Sequence, residues 1–252
     1  MVQNKLEMKA PHLQWVDVDD IIASARHRFG KARDAIRQDA VVDSVEPTLA
    51  IVRSILTGLS LEDSGDVNKA VSITKTLQNA VGLFHQDVLS SAHGWKSLGT
   101  GGGVLDIESV EPVDIVGGKK VLAEVKMRYN TIKASDQGAT WDQLDRAARL
   151  HGVSEYVAYL FQIVPNARKA REEPWKVSGR EARDHVRVAD GVTAYHIVSG
   201  DPRALFDLLK LMPYVLQKAF GSFEESDYTP GDEAMIAHLY ASSLPTHSAL
   251  IR

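Results

Sequence analysis

Residues 112–126 run PVDIVGGKKVLAEVK. Two short apolar runs flank Gly117-Gly118, a pair suited to the positive φ angles of a two-residue hairpin turn. The spacing predicts one strand over Val113 to Val116 and another over Lys119 to Lys126. Side chains alternate along a strand. Val121, Ala123 and Val125 should therefore enter the core, while Glu124 and Lys126 leave by the opposite face. The hairpin would set Asp114 on the partner strand beside Glu124. Two carboxylates and an ammonium would then meet at one spot.

Those residue types together have a chemical use. Close carboxylates repel unless a hard cation lies between them, and Mg²⁺ takes oxygen ligands while keeping several waters. Phosphodiester hydrolysis needs an in-line nucleophile and neutralisation of the charge that builds on phosphorus. Asp114, Glu124 and the Val125 backbone carbonyl are thus candidate metal ligands, and Asp114, Glu124 and Lys126 the candidate catalytic set. A strand facing water also alternates polar and apolar residues without any site. Two features favour chemistry. The motif sits inside a helix, three strands, helix, strand order, and Arg128, Asn130, Thr131, Lys133 and Ser135 follow it directly, placed to reach DNA. Asp106, at the end of a predicted strand from Val104 to Ile107, is a second candidate for the first carboxylate.

Upstream, the first hundred residues read as helices. Ile22, Ala25, Phe29, Ala32 and Ile36 recur at helical spacing, a short helix runs from about Pro47 to Leu56, and Ile73, Leu77, Ala80, Phe84 and Val88 stripe a third from about Asn68 to Ser91. His85 and Gln86 on that helix are further candidates for the metal water or for DNA. Gly99 to Gly103 is loop material. It lacks the Gly-Lys-Ser/Thr that opens a helix in a nucleotide cradle.

Downstream, Trp141 to Leu150 predicts a helix closed by Gly152, and Tyr156 to Val164 a buried strand. Val186 to Val188 and Val192 to Val198 read as two more strands. Asp201 is expected to cap a helix that begins at Pro202 and is kinked at Pro213. A last short helix is expected near Met235 to Tyr240. The segment from Pro165 to Asp184 is basic, and Arg168, Lys169 and Arg171 are candidates for a DNA-facing arm.

Composition narrows the classes. The 252 residues carry a formal net charge of −4 and no cysteine. Disulfides, thiolate metal sites and a cysteine nucleophile are excluded, and a reducing cytoplasm is expected. The apolar runs fall short of the roughly 20 residues that span a bilayer, so no membrane partner is expected. An acidic chain that binds DNA must cluster its cations. The nine histidines fall in no HExxH spacing, and no GxSxG elbow exists. One domain over 1–252 is the simplest division, with a helical N-terminal part of about 1–92 and an α/β core of about 69–220 that carries the candidate site.

The αβββαβ order with its Asp-x9-Glu-x-Lys spacing resembles the core of the PD-(D/E)XK nucleases. Several segments resemble, more narrowly, a family of type II restriction endonucleases that cut GGNCC. They are residues 75–82 with Phe84-His85-Gln86, Gly94-Trp95, Ala123 to Lys126 with Arg128-Tyr129-Asn130-Thr131, and Asp190-Gly191 through Tyr195 to Ser199-Gly200. The likeness spans about 45–216. It implies an α/β fold with a mixed central sheet flanked by helices and a helical N-terminal part. It also implies a Mg²⁺ cofactor, a homodimer, cleavage of double-stranded DNA leaving 5′-phosphate and 3′-hydroxyl ends, and a companion methyltransferase. Asp114 and Glu124 would be its metal ligands and Lys126 its catalytic lysine. One departure is that Val113 separates Pro112 from Asp114, which keeps Asp106 in view. A repair or junction nuclease on the same core, or a DNA-binding protein without activity, are the alternatives. Metal-dependent cutting of plain duplex into discrete fragments separates both from the restriction reading.

Overall fold

The computed structural model describes residues 12–37, 47–58, 60–99, 105–221 and 233–245. In chain order the elements are helices α1 (Val18–Arg37), α2 (Pro47–Thr57) and α3 (Leu61–Ser90), strands β1 (Trp95–Ser97), β2 (Ile107–Ser109) and β3 (Lys120–Arg128), and helix α4 (Gln137–His151). Strands β4 (Tyr156–Val164), β5 (Glu172–Pro174) and β6 (Val186–Asp190) follow, then helices α5 (Gly191–Ser199), α6 (Ala204–Phe220) and α7 (Glu233–Ser243). Among the described residues the six strands form one mixed sheet in the order β1-β2-β3-β4-β6-β5. The neighbours β1, β2 and β3 pair antiparallel, β3, β4 and β6 run parallel, and β5 closes the far edge antiparallel. The run α3-β1-β2-β3-α4-β4 is the expected αβββαβ order, in an α/β fold with helices on both faces of the sheet.

The period-2 pattern of β3 is what divides those faces. Val121, Ala123 and Val125 join Val157, Tyr159 and Phe161 of β4 in a large core completed by α1, α3, α5 and α6. Leu122 turns the other way, with Ala158, Leu160, Val186 and Val188, to pack on Trp141, Leu144 and Ala148 of α4. A parallel pair needs a crossover, and α4 is that crossover. The buried run of β4 follows, since both of its faces are covered.

Helix α3 begins earlier than its apolar stripe suggests. A capping box sets its start: Asp63 N–H donates to Ser60 Oγ at 3.0 Å, and Ser60 N–H donates to Asp63 Oδ2 at 3.3 Å. The other helices before the sheet lie close to where the spacing puts them. Helix α6 starts at Ala204 rather than Pro202, with Asp201 Oδ1 accepting from Arg203 N–H at 2.8 Å, and it contains Pro213.

Three strand expectations are corrected. The first expected strand begins outside the described residues, which exclude 100–104, and the pairing strand β2 lies at Ile107–Ser109. Asp114 to Val116 form one turn of 3-10 helix, not a strand. Gly117 and Gly118 do reverse the chain at φ 76° and 69°, but the reversal leads into a single bridge between Val113 and Lys119. The stretch Val192 to Val198 is helical. Asp190 caps it, accepting the N–H groups of Val192 at 2.9 Å and Thr193 at 3.1 Å. Val192, Ala194, Tyr195, Ile197 and Val198 are all buried, and only the narrow stripe of Thr193, His196 and Ser199 is partly exposed, so the apolar residues run almost unbroken along the sequence.

Candidate active site

The residue just before strand β2 is a carboxylate, Asp106. Ile107 pairs with Ala123 and Glu108 with Leu122, so one step back the register sets Asp106 opposite Glu124. The Asp106 backbone is held on both sides: its N–H donates to the Ala123 carbonyl at 2.9 Å, and its carbonyl accepts from Leu98 N–H at 2.9 Å. The side chain is fixed as well. Oδ2 accepts the Val125 backbone N–H at 2.7 Å, and Oδ1 accepts the side-chain amide of Gln86 at 2.5 Å. Glu124 projects beside it, and Lys126 Nζ lies 2.5 Å from Glu124 Oε1.

The three groups respond to one another. Burial pushes the Asp106 carboxyl above the ordinary carboxylate range. Burial and then the Asp106 charge push Glu124 the same way, against the pull of Lys126. Two adjacent, half-buried carboxyls that burial holds above their ordinary range are a donor set a divalent cation stabilises. The N–H and C=O of a strand residue leave by the same edge, so the Val125 carbonyl faces the Asp106 side too. Among the described residues no three His, Asp or Glu side chains converge. Two carboxylates and one carbonyl fit Mg²⁺, which keeps much of its water shell, better than a metal that needs a full protein cage.

Asp114 is not part of this cluster. It sits in the 3-10 turn next to Lys119, five residues before Glu124, which along a strand is roughly 16 Å. The expected hairpin pairing fails because β2, not the residues just before Gly117, occupies the place beside the middle of β3.

A cleft of about 580 Å³ opens over the site. Gln78, Asn79 and Gln86 of α3 line one wall, and Lys126, Arg128, Asn130 and Thr131 the other, with Asp106 and Val125 at the base. Lys133 and Ser135 are exposed on the loop that follows. Gln78 and Asn79 fall within residues 75–82, one of the segments of the resemblance, but nothing in their spacing marks them as site residues. His85 does not enter the cleft: it is buried, with Nδ1 2.7 Å from the Tyr195 hydroxyl.

The basic segment after β4 splits in two. Arg180 pairs with Asp142 at 2.6 Å, Arg183 with Asp145 at 2.8 Å, and Arg187 with Glu172. Those cations are tied to acids of this chain. Arg168, Lys169 and Arg171 leave the same end of the parallel strands as Lys126, because Val164 pairs with Arg128. Arg168 there donates to the Ala241 carbonyl at 3.2 Å, and Arg171 pairs with Glu173 at 2.8 Å.

A family model described as the Eco47II restriction endonuclease matches residues 13–221. The chain is also similar to the type II restriction enzyme Eco47II of Escherichia coli. The two are 26% identical over 217 residues, which covers 81% of this chain and 87% of that protein.

Proposed function

The chain belongs to the Eco47II restriction endonuclease family and is a type II site-specific deoxyribonuclease, and from that premise we propose that Asp106, Glu124 and Lys126 form its hydrolytic site, with Mg²⁺ as cofactor. The observation that carries the assignment is that Asp106, which lines the cleft together with Lys126 and Arg128, lies against Glu124.

In this reading Asp106, Glu124 and the Val125 carbonyl would hold the metal. A bound Mg²⁺ would supply charge neutralisation at phosphorus and a more acidic water. Lys126 supplies a cation beside the attacked phosphate and can take up or return a proton near the attacking water. Gln86 and the Val125 N–H fix the Asp106 carboxylate so that its free lone pairs aim into the cleft. Arg128, Asn130 and Thr131 meet the DNA where it enters, with Lys133 and Ser135 beyond them. Arg168, Lys169 and Arg171 are the more distant contacts.

The substrate in this reading is double-stranded DNA carrying GGNCC, cut to 5′-phosphate and 3′-hydroxyl ends by a homodimer whose two-fold axis matches the palindrome. A companion methyltransferase protects the host sequence, and the enzyme works in the cytoplasm. No helix among the described residues is long and apolar enough to cross a membrane. The whole chain acts as one endonuclease unit, since α1 packs into the same core as β3 and α6.

Digestion of unmethylated phage DNA with the purified protein tests the reading. Discrete fragments that need Mg²⁺, vanish in EDTA and end within GGNCC support it. A smear, or cutting confined to branched DNA, would overturn it.

A further inference from the structure

We propose that Gln162 is a positioning residue for Lys126, its side-chain oxygen receiving the lysine ammonium when Glu124 turns to a divalent cation. This rests on the reading of Asp106, Glu124 and Lys126 as the hydrolytic site.

Gln162 lies near the end of β4, directly across the parallel register from Lys126. Equal register on neighbouring parallel strands puts both side chains on the same face. Glu124 is two residues back on that face, opposite Leu160. Glu124, Lys126 and Gln162 therefore share one patch of the sheet at the ends of the parallel strands, where ligands of such sheets bind.

Gln162 is 6% exposed, and its Oε1 has no hydrogen-bond partner among the described residues. Burying an acceptor without a donor is unfavourable, and native chains rarely keep one without a use. An apolar residue would suit the place, since Leu160 on the same face sits in the α4-side core. The neighbour on the other side does not answer the amide either. Asp190, the register partner of Gln162 on β6, has both oxygens engaged by Val192 N–H, Thr193 N–H, Thr193 Oγ and Arg171 N–H. Lys126, its register partner on β3, is a donor that the strand pairing sets on the same face.

Lys126 has three N–H donors, and its ammonium lies 2.5 Å from Glu124 Oε1. A cation held by Glu124 competes for the same carboxylate and repels the ammonium. Without a second acceptor, Lys126 either stays and opposes the cation or swings into solvent, away from the phosphate. The Gln162 oxygen gives it a place to go within the site. The amide thereby couples cation uptake to the lysine position that hydrolysis needs.

The test is a calorimetric titration of the full-length protein with Ca²⁺, with thermal melting alongside. Gln162→Leu removes the acceptor and should melt at or above the wild-type temperature. Gln162→Met, of similar length, replaces it if the leucine variant does not fold. The variant is expected to bind Ca²⁺ about tenfold more weakly, because Lys126 keeps its hold on Glu124. In a Lys126→Met background the same substitution should leave Ca²⁺ affinity unchanged. Equal affinity in wild type and Gln162→Leu would overturn the inference, as would an equal loss in both backgrounds. Wild-type protein that takes up no Ca²⁺ would overturn the metal site itself. Uptake that Asp106→Asn abolishes keeps that site and leaves Gln162 to be judged alone.

Discussion

Asp106 accepts the backbone N–H of Val125 at 2.7 Å, so the first carboxylate of the proposed site is bonded to the strand that carries its other two residues. This contact spans an antiparallel pair whose register puts Asp106, and not Asp114, opposite Glu124. Asp106→Ala is accordingly expected to reduce cleavage on the order of 10³-fold or more. DNA should still bind in Ca²⁺, more weakly. Asp114→Ala should cut within about twofold of wild type. Steady-state cleavage of a labelled duplex decides between them, and an inactive Asp114→Ala with an active Asp106→Ala would reverse the assignment.

Gln86 stands one bond further out. Its amide donates to Asp106 Oδ1 at 2.5 Å from the cleft wall of α3. Partners that orient a ligand typically matter by about 10–100-fold in affinity or rate. Gln86→Leu should lower kcat by that range while folding stability stays within about 1 kcal/mol, because the position is only half-buried. Full activity in this variant would leave Asp106 oriented by the Val125 N–H alone.

The β3 half of the site was legible because it depends on a local rule. Val121, Ala123 and Val125 are buried, and Glu124 and Lys126 share the other face, as a period of two requires. Asp106 depends on register, which is tertiary. The Gly117-Gly118 pair marks a true chain reversal, with both residues at positive φ. A turn does not say how far pairing continues, and here it stops after one bridge. The run from Val192 to Val198 reads as a strand for a different reason. Its β-branched and aromatic residues favour a strand, but Asp190 and the tight seat of Gly191 impose a helix that is buried on nearly every side.

Gly191 is where α5 meets β4. A Cβ there would lie 2.3 Å from the Ile163 carbonyl oxygen and 2.8 Å from its Cα, both backbone atoms that cannot move aside alone. Gly191→Ala is expected to destabilise by about 3 kcal/mol or more. For a chain of this size that is a Tm lower by roughly 6–12 °C. An unchanged melt would mean that the helix can slide off the sheet at no cost.

His85 gives the fold an acid-sensitive point. It is buried, and burial lowers its pKa to about 4. Its ring packs edge-on against Phe84 and Tyr195. In the unfolded chain the group titrates near 6.5, so between about pH 6.5 and 4 the unfolded state binds the extra proton. The stability that comes from keeping the ring neutral is therefore present above pH 6.5 and is lost as pH falls toward 4. From pH 7 to pH 5 the loss is about 2 kcal/mol. His85→Gln can keep a hydrogen bond to the Tyr195 hydroxyl but has no proton to gain. Urea unfolding of both proteins at pH 7 and pH 5 should show the wild type losing about 2 kcal/mol more than the variant. Parallel losses would mean that the ring reaches water readily enough to ionise in the folded state.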